Sequence, residues 1–219
     1  MTWKKYLMTT RGRYAFAFCV VILSMMFGLM PAYYRDIITP KPAILLDDPI
    51  LNLFTPVDWS GPVFFILSVA ILQTLAFYIR TPSVLLLGLT TYCAINVVRM
   101  ITIYAITLDP PTDMILLVDP FSARFAYPDA SFAKDLFFSG HVSTMMVMVL
   151  IERVWVLKFI KIVGTVLMAL FLAWQHVHYS IDLVVAPIAT YCVFLLAKRF
   201  FAGLPPEFRV PQISNRMAF

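Results

Sequence analysis

Long runs of apolar residues, separated by short polar or proline-marked clusters, dominate the pattern along this 219-residue chain. Six runs approach or exceed the roughly 20 residues that a helix needs to cross a bilayer. They cover residues 14–33, 62–79, 83–106, 137–157, 159–177 and 181–201. Asp109-Pro110-Pro111 ends the third, because proline cannot continue a helix. The pattern predicts an all-α fold, a polytopic bundle of six transmembrane helices forming one membrane domain over residues 1–219. Residues 1–13 form an N-terminal segment, 35–61 and 107–135 two longer loops on one side, and 202–219 a tail. Lys4, Lys5, Arg11 and Arg13 precede the first run as they would in a signal peptide. The run is long and no small-residue cleavage site follows it, so an uncleaved span is expected.

Composition supports lipid as the solvent. Hydrophobic residues make up 61% of the chain and charged residues 13%, about half the share in an ordinary soluble domain. The net charge of +5 would raise nucleic acid as a partner of a soluble protein. Here the basic residues flank apolar runs, so they report topology and no nucleic-acid partner is expected. Twelve of the 17 Lys and Arg residues fall on the side of both termini; Arg35, Lys41, Arg124 and Lys134 fall on the other, and Arg99 lies inside a span. The positive-inside rule then puts both termini in the cytoplasm and loops 35–61 and 107–135 outside. The first loop, with Pro40, Pro42, Pro49 and Pro56 among apolar residues, is expected to lie along the interface. Cys19, Cys93 and Cys192 sit singly in apolar runs and define neither a metal motif nor a disulfide framework.

The chemistry concentrates in two strings. Asp135-Leu136-Phe137-Phe138-Ser139-Gly140-His141 opens the fourth span, and His176-Val177-His178-Tyr179-Ser180-Ile181-Asp182 leads into the sixth. Together they hold all three histidines. Counting from the expected inner turns at Pro82, Lys158 and Lys198 places Arg99, His141 and His178 roughly 25–30 Å up, near the outer interface. His178 and Asp182 are four apart and share a face if helical. A carboxylate beside an imidazole fixes its tautomer and raises its basicity, so His178 can attack phosphorus. His141 then serves as a separate acid for the departing oxygen. Ser139 and Gly140 stand at an expected helix start, where backbone N–H groups bind phosphate oxygens and Ser139 caps. Asp182 and Arg99 are costly inside lipid, and residues of that kind are functional as a rule; the plainer role for Arg99 is an ion pair with Asp182 or Asp135. His176, two residues from His178, is expected to be supporting or structural. Tyr33, Tyr34, Trp59 and Trp174 are expected to anchor the interface. A metal site built from His141, His176, His178 and Asp182 competes, but no metal-ligand spacing supports it, and neither metal nor cofactor is expected.

At these residues the chain resembles the sphingomyelin synthase family, within the type 2 phosphatidate phosphatase superfamily. Arg99 through Leu108, followed by Pro110-Pro111, is similar to the family's third-span motif. Asp135 through His141 resembles its Asp-x-x-x-Ser-Gly-His motif, and His178 through Asp182 its His-Tyr-Ser/Thr-x-Asp motif. The likeness runs from about Arg99 to Phe200, while the first 80 residues match only as apolar spans. The resemblance implies a triad of His141, His178 and Asp182, with a phosphohistidine on His178. It implies a glycerophospholipid donor and ceramide or a diacylglycerol-like acceptor. Arg99, Tyr104, Asp135, Ser139, Gly140 and Tyr179 are implied as substrate-binding positions. Ala133-Lys134 replaces the family's common Cys-Gly before the aspartate. Two superfamily phosphatase motifs, Lys-x6-Arg-Pro and the arginine of Ser-Arg-x5-His-x3-Asp, are missing. That favours transfer between lipids; a lipid phosphate phosphatase or phospholipase C-like hydrolase using the same histidines is the alternative.

Overall fold

The computed structural model describes residues 2–118 and 133–205. Loop 107–135 is therefore described only at its two ends, and the tail 202–219 only to residue 205; the rest of both expectations lies outside the described residues. The described chain is helical. A short α1 (Trp3–Leu7) leads into α2 (Thr10–Ala32), which a π-helical stretch, Tyr33–Ile38, prolongs. Then follow α3 (Ser60–Tyr78), α4 (Pro82–Ala105), α5 (Gly140–Ile151), α6 (Trp155–Trp174) and α7 (Ser180–Ala202). Among the described residues five helices are long and apolar enough to cross a membrane: α2 with its extension, α3, α4, α6 and α7. Their exposed faces carry Phe27, Phe65, Leu72, Ile101, Val184 and Leu196 outward, as lipid-facing helices do.

The fourth expected span, 137–157, is not one helix. α5 has 12 residues, about 18 Å of rise against a hydrocarbon core of about 30 Å. Glu152 ends it. Its carboxylate accepts from the Arg153 and Val154 amides at 2.8 and 3.0 Å, the backbone turns extended, and α6 begins at Trp155. The turn therefore falls at residues 152–154 rather than at Lys158. Shortness costs α5 little because it is the middle of the bundle, packed against α3, α4, α6 and α7. Val142, Met145, Val147, Met148, Val149 and Ile151 are all buried, and apolar residues all round are the mark of an enclosed helix.

Two glycines register α5 against α4. A methyl group at Gly88 would meet Ile151 Cδ1 at 2.7 Å, and one at Gly140 would meet Arg99 Nη1 at 2.6 Å. Eleven residues separate each pair of contact points on both helices, so the two run antiparallel in step. Arg99 is thereby level with the start of α5, as the depth count required. The count for His141 began from the wrong turn but reaches the same level: Ile151 stands opposite Gly88, six residues or about 9 Å inside Pro82, and ten more residues add about 15 Å.

The same turn buries an ion pair. Lys161, counted from the sequence among the basic residues of the cytoplasmic side, lies inside the bundle, where Nζ bonds Glu152 Oε2 at 2.8 Å and Thr74 Oγ1 at 2.7 Å. The side chains are 4% and 0% exposed, and Tyr78 and Gln73 complete the carboxylate's partners. Removing one member of such a pair strands the other. Lys161→Met is expected to cost about 3–5 kcal/mol, and adding Glu152→Gln to recover most of it. Thermal unfolding in detergent reads both; equal losses in the single and double variants would contradict this account.

At the opposite end from that turn, residues 39–59 form a strap. Ile44 pairs with Thr107 and Asp109 through backbone bonds of 3.1 and 3.0 Å. Val57 N–H reaches Trp174 O at 3.3 Å, and Trp59 N–H reaches Gln175 Oε1 at 2.8 Å. The strap thus crosses the ends of α4 and α6. The starts of α1 and α2 gather with the ends of α3 and α7 at the other end, where Trp3 Nε1 donates to Ile79 O at 2.7 Å and Arg11 donates to Phe200 O.

Candidate active site

Four helix ends meet beneath the strap. α4 contributes Arg99, which is 3% exposed. Its Nε donates to Phe138 O at 2.8 Å and its Nη2 to Asp135 Oδ1 at 2.8 Å. The guanidinium thus lies along the segment that leads into α5. Among the described residues Nη1 has no hydrogen-bond partner, and it stands against Gly140. Gly140 permits that approach, since any Cβ there would also meet Arg99 Cζ at 2.8 Å.

α5 starts as its sequence requires. Ser139 is the N-cap, with Oγ accepting from Val142 N–H at 3.4 Å. The Ser139 amide donates to Asp182 O at 3.3 Å, which ties the two strings together directly. His141 follows, half-buried, with its ring edge-to-face against Phe64 of α3 at 5.7 Å between centroids.

His178 and Asp182 pair, but not as two residues on one helical face. α7 begins at Ser180, so His178 precedes the helix and Asp182 is its third residue. Nδ1 of His178 stands 3.4 Å from Asp182 Oδ2, a long contact, with the side chains 3% and 0% exposed. A carboxylate in a first helical turn is favoured by the helix dipole. Among the described residues Asp182 Oδ1 lacks a hydrogen-bond partner.

Asp135 is where these elements converge. Its Oδ1 accepts from Arg99 and from the hydroxyl of Tyr34 on the π-helical extension. Burial works to raise the Asp135 carboxyl; the Arg99 guanidinium, the Tyr34 hydroxyl and the imidazoles of His178 and His141 together hold it below the ordinary carboxylate range. Its side chain is 30% exposed, so the group is open at one side.

Other expected positions fall elsewhere. Tyr104 is 53% exposed and lies under Lys41 Nζ, 3.7 Å from the ring centroid. Five residues past Arg99 on a helix is about 140° around it, so Tyr104 is not brought to the site. Tyr179 is buried, donating to Asp109 O at 2.8 Å and accepting from Leu46 N–H at 3.3 Å, and so holds both loops. His176 pairs with Asp113 at 2.9 Å and keeps that carboxyl below its ordinary range. Tyr34, expected at the interface, is 3% exposed and belongs to the site. Trp59 stacks on Phe171 at 4.5 Å. Among the described residues no three His, Cys, Asp or Glu side chains are placed to hold a metal ion.

Asp48 is a participant that sequence reasoning missed. Its carboxylate accepts from the Ser180 amide at 2.6 Å, the Ser180 hydroxyl at 3.2 Å and the Ile50 amide at 3.0 Å. It therefore docks the strap on the N-terminus of α7, two residues from His178. A pocket of about 250 Å³ opens there, walled by Leu46, Asp48, Pro111, Asp113, His176 and Tyr179 among others. Asp48→Ala is expected to release the strap, with amide exchange over residues 46–53 about 5–30-fold faster. Hydrogen exchange by mass spectrometry checks this, and unchanged protection would contradict it.

Comparison of the chain with protein-family models and with curated proteins finds no match, so any reading of function stands on the residues described above.

Proposed function

We propose that the protein is a lipid phosphotransferase, moving a phospho-head group from a glycerophospholipid to ceramide or a related lipid alcohol through a phosphohistidine. The observation that carries this reading is the junction of the two histidine strings. The Ser139 amide, two residues before His141, bonds the carbonyl of Asp182, whose carboxylate stands beside His178, and Arg99 holds Asp135 at the head of the same segment. An enclosed nucleophile, a separate acid and a cation beside a helix N-terminus form the set that an anionic phosphodiester needs.

The steps follow from that set. Asp182 accepts a hydrogen bond from Nδ1–H of His178, which leaves the Nε2 lone pair as nucleophile. Nε2 attacks phosphorus, an N–P bond forms, and the P–O bond to diacylglycerol breaks. Protonated His141 delivers its proton to the departing oxygen. The hydroxyl of the acceptor lipid then returns a proton to His141 and attacks phosphorus, and the N–P bond breaks. Arg99 Nη1 and the α5 N-terminus bind the non-bridging oxygens through both steps. The distribution of Lys and Arg supports cytoplasmic termini, which puts this site at the extracytoplasmic face.

The test uses purified protein in liposomes that contain a phospholipid with a labelled phospho-head group and either ceramide or diacylglycerol. The expected product is a new labelled phospholipid that depends on the acceptor. Label released to water whether or not acceptor is present would assign the site to hydrolysis. No product from choline, ethanolamine or inositol donors would overturn the reading.

A further inference from the structure

The first 80 residues offered nothing to the site beyond apolar length, yet one of their side chains reaches it. We propose that Tyr34 is a positioning residue for the reaction proposed above, holding Asp135 so that Arg99 keeps its place against Gly140. The inference rests on that reading of function.

The π-helical stretch Tyr33–Ile38 carries α2 past Ala32 and over the outer part of α4. Such stretches recur at functional sites, because the widened turn re-aims side chains. Tyr34 and Ile38, both buried, pack with Ile103 of α4. Two adjacent tyrosines behave differently there. Tyr33 donates to the Met100 carbonyl at 2.6 Å, an ordinary way to tie one helix to another. Tyr34 instead donates to Oδ1 of Asp135, the same oxygen that receives Arg99 Nη2. A tyrosine that served only to attach α2 would need no carboxylate, least of all the one that fixes the site's guanidinium. Lys134, next to Asp135, grips the start of the strap just past the extension, through Thr39 O at 3.2 Å and Lys41 O at 3.0 Å.

The geometry explains what this achieves. Among the described residues Arg99 Nη2 is held only by Asp135, and Asp135 is 30% exposed, with both of its hydrogen bonds on Oδ1. A donor on Oδ1 opposes rotation of the carboxylate. When the carboxylate turns away, Nη2 loses its partner and Nη1 no longer stays beside Gly140. Two elements hold Asp135: Tyr34 from the extension of α2 and Arg99 from α4. Tyr34 is neutral at pH 7, and it contributes direction without altering net charge.

Tyr34→Phe in the full chain, reconstituted in liposomes, tests the inference. The ring and its packing stay, and only the hydroxyl goes. The expected result is about a tenfold fall in kcat for transfer, the effect of one hydrogen bond to a charged group, with KM for the donor nearly unchanged. In an Asp135→Asn background, Tyr34→Phe should add less than about twofold, because the two act through one contact. Tyr33→Phe is the control for helix attachment, and its kcat should match the wild type. Wild-type kcat in Tyr34→Phe would overturn the inference alone, as would full additivity with Asp135→Asn or an equal loss in Tyr33→Phe. An inactive wild type would overturn the reading of function, and the inference with it.

Discussion

His178→Ala is expected to abolish transfer, by about 10³-fold or more, in a protein that still folds and inserts. The size follows from the role. Without an imidazole at this position no N–P bond forms, and binding groups alone cannot replace a nucleophile. The fold should survive because the substitution removes one hydrogen bond, and that a long one of 3.4 Å. Asp182 keeps its place in the first turn of α7, where the helix dipole favours a carboxylate. His178→Asn keeps a hydrogen-bonding group beside Asp182 and should be as inactive, which separates chemistry from stability. Asp182→Asn is expected to lower kcat by about 10²–10⁴-fold, since the amide no longer selects the tautomer that bares Nε2. Size-exclusion profiles and unfolding temperatures, taken with the rates, check that these are losses of chemistry. Transfer at the wild-type rate in His178→Ala would remove the covalent mechanism.

Arg99→Lys is expected to lower kcat by about 10²–10³-fold. An ammonium keeps the charge but not the fork. One nitrogen cannot reach Phe138 O, Asp135 Oδ1 and the space beside Gly140 together, as Nε, Nη2 and Nη1 do. Gly140→Ala approaches the same defect from the other side. Its methyl group would lie 2.6 Å from Nη1, so the guanidinium must leave while Ser139 still caps α5. A fall of about tenfold or more, with the helix intact, is expected. Rates with short-chain donor lipids check both variants; a Gly140→Ala enzyme as fast as the wild type would show that Nη1 plays no part.

Most of the helices were legible in the sequence, because a run of about 20 apolar residues permits little else in lipid. Spans 62–79, 83–106 and 181–201 lie within about three residues of α3, α4 and α7 at each end. The failure at 137–157 has a specific cause. Glu152 and Arg153 sit in an apolar run, and hydropathy alone cannot show that Lys161, nine residues on, turns inward to pair with Glu152. Within the site, the parts joined by short sequence separations were readable: Ser139 as a cap and His178 with Asp182; of the two carboxylates the sequence offered Arg99, Asp182 and Asp135, the structure pairs it with Asp135. The parts contributed from a distance were not. Tyr34 and Tyr33 look alike in sequence, and only the π-helical turn separates the one on Asp135 from the one on Met100. Asp48 followed by Pro49 marks a turn, but nothing local shows that its carboxylate will meet Ser180, 132 residues away. Tyr104 failed in the opposite way, placed near the phosphate by its motif but turned away by helix geometry.

The central claim is that one imidazole, His178, carries the head group covalently between two lipids. Incubating the wild-type protein with a phospholipid bearing a labelled phospho-head group, without acceptor, should accumulate that state, and His141→Ala, which lacks the acid for the departing oxygen, should form it more slowly. Peptide mass spectrometry under alkaline conditions, which spare phosphohistidine, should then find the phospho-head group on His178. Efficient transfer with His178 never labelled, or label carried on another residue, would contradict the account.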